Sequence, residues 1–213
     1  MDKAYFEKYL DYQYSRIERK VAKIDTADVD KKQRILVSLT GYEIDLLKAE
    51  FSFGATCDDM KTLLNKAIIT VNEYENMTYE DLLILLSLSI IVNDSREAKK
   101  LVDIHSEKVK GDRLLNLFSR YICDKTVEWN ENLQLCKEFE GLNNVFESDE
   151  KENALINYLN EWYAKFSEYA WYDSHLRDTD TYCGYWSFES AAIATILGLN
   201  DSELKSCEYY PSL

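Results

Sequence analysis

The sequence predicts an all-α fold, a bundle of about eight to ten helices. Apolar residues recur at spacings of three and four through most of the 213 residues. Breakers are scarce, with one proline (Pro211) and six glycines, too few for the many tight turns of a sheet-rich fold. The junctions between apolar stripes are short and polar, and several begin with the Thr, Asn and Ser residues that cap helices.

The elements follow in order. Phe6, Leu10, Ile17, Val21 and Ile24 share one stripe of a long first helix, and Tyr5, Tyr9 and Tyr12 lie on a neighbouring stripe. After a polar turn at 25–30, Ile35, Leu39, Tyr42, Leu46, Ala49 and Phe53 alternate by four and three, the seam of an antiparallel helix pair. Gly54 breaks the chain, and Thr56 with Asp59 reads as a capping box for a third helix whose face runs through Met60, Leu64, Ile68 and Tyr74. Thr78 with Asp81 opens a fourth. It contains the longest apolar run, 82–92, about half of a membrane span, so it reads as a helix buried on most sides. Ala98, Leu101, Val102 and His105 line a fifth helix, with Gly111 ending that element, and Leu114, Leu115, Phe118 and Ile122 line a sixth.

Between 124 and 148 the periodicity weakens and Glu128, Glu131, Glu138, Glu140 and Glu147 crowd together. A helix over 133–146, interrupted near Gly141, is expected there. Ser148 and Glu152 open the next helix, whose face of Leu155, Tyr158, Leu159, Trp162, Tyr163, Phe166 and Tyr169 is heavily aromatic. A polar loop fills 173–184. Two last helices are expected over 185–197, stopped by Gly198, and over 201–207, capped by Asn200 with Glu203. The organisation that results is an N-terminal bundle over 1–123 and a C-terminal subdomain over 124–213, packed as one compact unit.

Charge and side-chain supply narrow the function. Residues 1–110 carry 17 basic and 20 acidic side chains and residues 111–213 carry 8 and 19, so the net charge of −14 divides into −3 and −11. Such a chain is repelled by duplexes and by anionic bilayers and attracts a basic partner, so neither direct nucleic-acid nor membrane binding is expected. Five scattered cysteines without a C-x-x-C fit reduced thiols, and the charged N-terminus has no apolar signal core, which together point to the cytoplasm. The two histidines, His105 and His175, are seventy positions apart; no H-E-x-x-H and no phosphate-cradling glycine loop occurs. No catalytic set, metal or cofactor is therefore expected. His105 reads as a packed residue of a helix face, and paired carboxylates such as Asp149 and Glu150 read as solvated or helix-starting groups.

The most specific stretch is the C-terminal one. It runs Trp171, Tyr172 and His175, then Tyr182, Gly184, Tyr185, Trp186, Ser187, Phe188 and Glu189, then Ala191, Ala192 and Ala194, and finally Tyr209, Tyr210 and Pro211. It resembles the C-terminal signature of the PoNi-type immunity proteins, and residues 48–68 are similar, less specifically, to that family's N-terminal region. The resemblance implies a non-enzymatic antidote that binds and silences a PoNe-type DNase toxin, one-to-one, as its cognate partner. It further implies a structural role for Trp171, Gly184, Trp186, Phe188, Glu189, Ala191 and Ala192. The toxin-facing surface is expected to combine Tyr172, Asp173, His175, Asp178, Asp180, Tyr182 and Tyr185 with the acidic Glu147, Asp149 and Glu150. Carboxylates beside tyrosines suit a basic, DNA-binding groove, where they pair with Lys and Arg as phosphates do. His175 reads either as a loop-fixing hydrogen-bond partner or as an interface residue. The alternative function is a helical adaptor or secretion chaperone for a toxin.

Overall fold

The computed structural model describes residues 2–213. Ten α-helices and three 3₁₀ turns form it, and among the described residues there is no strand, only an isolated bridge between Asp112 and Gln134. The helices are α1 (Lys3–Val21), α2 (Val29–Phe53), α3 (Cys57–Val71), α4 (Tyr79–Ile91), α5 (Arg96–Ile104), α6 (Ser106–Gly111), α7 (Arg113–Asp124), α8 (Leu142–Glu147), α9 (Lys151–Lys165) and α10 (Phe188–Leu197).

The helix ends follow from local chemistry. Asp2, Asp28, Thr56 and Thr78 each accept a hydrogen bond from the backbone N–H three residues on, and Thr56 with Asp59 completes a capping box. Gly54, at φ +101°, closes α2, with the N–H of Ala55 returning to the carbonyl of Glu50. Gly198 ends α10 in the same way, through Leu199 to Ala194.

α4 is the hub. It is apolar nearly all round, and its residues 82, 83, 85, 86, 88 and 90 are buried. α2, α3, α5, α7 and α10 all pack on it, α10 most extensively. The buried hydroxyls of Ser87 and Ser89 bond back to the carbonyls of Leu83 and Leu85, so neither is left unpaired. α10 carries Ala191, Ala192 and Ala194, all buried, and side chains that small let a helix approach its neighbours closely. α1 lies antiparallel on α2 along the seam read from the sequence.

Four expectations are corrected. The helix over 133–146 does not form as one element: residues 125–136 are irregular, Lys137–Phe139 is a single 3₁₀ turn, and only α8 is helical. The cause is Arg113. Its guanidinium donates to the carbonyls of Glu131 and Leu133 and to Asn143 Oδ1, and it lies over the Trp129 ring, holding the segment extended across α7. The last expected helix, 201–207, is a turn with one 3₁₀ segment at Leu204–Ser206. There Asn200 Oδ1 accepts from Ser202 N and Ser202 Oγ instead of forming a box with Glu203. α10 begins at Phe188, not Tyr185, because Ser187 N donates to the carbonyl of Tyr209 and keeps 182–187 out of the helix. The fifth expected helix is two: α5 ends at the buried His105, whose N–H closes on Leu101, and α6 starts afresh.

Candidate functional site

The C-terminal signature builds one aromatic assembly at the end of α9. Tyr163, on the last turn of that helix, stacks on Tyr172 at 4.4 Å and on Tyr209 at 5.2 Å. Trp162 stacks on Trp171 at 5.8 Å, and Phe166 and Tyr185 lie within 5.5 Å of the same Trp171 ring. Rings at these separations attract beyond their buried area and hold one another in place.

Polar groups then fix the loop. Asp173 sits in the left-handed region at φ +55°, and Tyr163 secures it: the phenol donates to Asp173 Oδ1 at 2.8 Å and accepts from its backbone N–H at 3.1 Å. The Tyr185 hydroxyl gathers three neighbours, Ser174 Oγ, the His175 backbone N–H and His175 Nδ1, at 3.0–3.1 Å. Arg177 donates to the Tyr172 carbonyl. At the far end Tyr5, from α1, donates to the carbonyl of Tyr182 at 2.8 Å and accepts from its N–H at 3.1 Å. Lys8 pairs with Asp180 at 2.8 Å, an exposed bridge that adds little to stability.

The expected surface residues are thus sorted. Tyr172, Asp173, Tyr182 and Tyr185 are half-buried, while His175, Asp178 and Asp180 are exposed. They stand together, with Asp173 and Asp180 already holding partners. His175 does fix the loop, through Tyr185. Glu147, Asp149 and Glu150 are exposed at the start of α9, whereas Tyr163 is near its end, so roughly 18 Å of helix separates the two groups. The structure does not bring that acidic segment to the aromatic face. It adds instead Tyr5 and Lys8 from α1 and Tyr163, Glu208 and Tyr209, which line a surface recess or its rim with the loop. Tyr163 carried a signal, its place on the aromatic stripe, but Tyr5 carried none, being linked to the loop only in space.

The core side of the signature is Glu189. It is buried, and Oε1 accepts from Tyr158 OH at 2.7 Å, Trp162 Nε1 at 2.6 Å and Ser187 Oγ at 2.7 Å. Burial pushes this carboxyl up, and the donors from Ser187, Tyr158 and Trp162 oppose that. Trp186 is half-buried and donates to Ser52 Oγ on α2, while Phe188 is buried against Phe51. Among the described residues no group of three or more His, Cys, Asp and Glu side chains stands ready to hold a metal ion, and no helix is long and apolar enough to cross a membrane.

Fold and site together define an all-α protein that carries a tyrosine-built face bonded to α1 at one end and stacked on the C-terminal segment at the other. Residues 1–103 match the family model described as PoNe immunity protein (PoNi), N-terminal, and residues 110–212 match the one described as PoNe immunity proteins (PoNi), C-terminal. The chain belongs to the PoNi family of PoNe immunity proteins. No curated protein and no solved structure matches it.

Proposed function

We propose that this protein is a cytoplasmic antidote that binds a PoNe-type DNase toxin one-to-one and blocks its activity through the acidic, tyrosine-rich face. The observation that carries the reading is the match of both halves of the chain to the immunity family. Charge supports it. A DNase presents cations to phosphates, and a partner of net charge −14 gains steering toward such a surface. Protection requires slow release, and the half-buried tyrosines offer rigid contact area at small entropic cost. Coverage of the DNA groove is the favoured mode, because acids beside aromatics compete there with phosphate.

The test is co-purification and calorimetry with the catalytic domain of the nuclease encoded beside this gene, followed by plasmid cleavage. Tight one-to-one binding with loss of cleavage is expected. Binding only to the toxin's delivery region, with cleavage intact, would replace the antidote by the adaptor reading.

A further inference from the structure

Behind the aromatic face lies a cavity of about 150 Å³ that none of the contacts above fills. A space of about that size holds a benzene-sized group. Six rings contribute to its walls: Phe139, Trp162, Phe166, Trp171, Tyr185 and Trp186. An apolar guest would find this lining sufficient, but the charged groups are arranged for something else. Half-buried Asp45 on α2, half-buried Glu80 on α4 and buried Glu189 on α10 all belong to the lining. Against these three carboxyl groups the lining contains one ammonium, Lys48. Ring faces are negative; burial pushes all three carboxyls up, and a cation seated among them would stabilise their charged forms, so the cavity favours a small organic cation over a neutral or anionic guest.

We infer that this cavity is a binding site for an alkylammonium or alkylguanidinium group, and that its occupant is a Lys or Arg side chain of the nuclease. The second clause rests on the proposed function. A DNA-cleaving partner is rich in such side chains, and the cavity is lined in part by α2, α4 and the loop that bears the tyrosine face. An inserted side chain sheathed by rings would resist release, whereas exposed charge pairs chiefly affect capture.

The experiment has two arms. In the first, N-propylguanidinium, butylammonium, butanol and butyrate are titrated into the intact protein, following the indole N–H resonances. Trp162, Trp171 and Trp186 line the cavity and Trp129 does not, so it serves as the internal control. The cations are expected to move the three cavity indoles alone. The response should vanish in Asp45→Asn/Glu80→Gln and also in Thr181→Arg, which supplies a guanidinium from the cavity's own rim. An equal response to butanol, or none to either cation, overturns the site.

In the second arm the nuclease domain is released from wild type and from both variants at about 1 M salt, where steering is screened. Release roughly tenfold faster from the variants is expected. Equal rates, with the cations still binding, overturn the nuclease side chain as occupant and assign the cavity to a free organic cation. Failure of the wild type to bind the nuclease at all counts against the antidote reading and leaves the first arm to decide the cavity.

Discussion

At Gly184 the backbone turns with φ +113°, and a Cβ there would meet Ser52 Oγ at 2.1 Å and Trp186 Nε1 at 2.6 Å. The glycine is therefore required twice, by its dihedral angle and by the bond between those two atoms. Gly184→Ala is expected to cost about 2–4 kcal/mol, read by chemical denaturation, and to shift the Trp186 fluorescence. Glu43 supplies a second residue-scale prediction. It is buried on α2 with Oε1 unpaired, and burial pushes its carboxyl up from 4.5 to about 7. The folded state thus holds this proton more tightly than the unfolded chain. Its contribution is full below the unfolded value and is lost as pH rises through about 7. Glu43→Gln removes that loss, so it should match wild type in acid and exceed it by about 3 kcal/mol near pH 8 in paired denaturation curves. Equal stability at both pH values would count against the buried charge. Gly184 stands in the C-terminal signature, though its φ and its contacts are visible only in the fold; Glu43 does not announce itself, lying one residue after a seam position, where only packing puts it inside.

The elements were legible where period and cap agree. α3 and α4 start at the Thr residues read as their caps, α2 starts within the polar turn, and most of the stripes read from spacing are buried, with Phe53 at the end of α2 exposed. They were illegible where distant side chains decide. The expected helix over 133–146 loses its first turn because Arg113 takes the carbonyls of Glu131 and Leu133, and Trp129 stacks on Phe146 at 4.1 Å. Arg113→Gln should release that segment while α7 stays folded. Hydrogen exchange at 126–135 is expected to accelerate, with a global loss of about 1–3 kcal/mol. Unchanged exchange there would show the aromatic stack to be sufficient alone. The same reasoning covers the cavity: Asp45, Glu80 and Glu189 come from three helices and share no spacing that a sequence can display.

At the scale of the molecule, charge and surface act on different steps. The net charge of −14 governs encounter, so association with a basic nuclease should slow steeply as salt rises, by stopped-flow fluorescence, while release changes less. Asp178 and Asp180 are the surface acids to alter, because Asp173 is held by Tyr163 and its loss would disturb the loop itself. Asp178→Asn/Asp180→Asn should fold normally and slow association several-fold, roughly what rim charges contribute. An unchanged rate would move the capture surface elsewhere, with the acids at the start of α9 the next to alter.

The bond between Tyr5 and Tyr182 spans 177 positions and is made in both directions. Contacts of such separation form late, after the loop-closure entropy of nearly the whole chain has been met. On a ribosome, the tyrosine face would have to wait for the C-terminal segment to emerge, even with α1 to α7 already assembled. A protease that nicks the exposed 175–181 loop would undo the same linkage from the other side. Immunity of this design would be a property of the finished, unbroken chain, present in full or lost together.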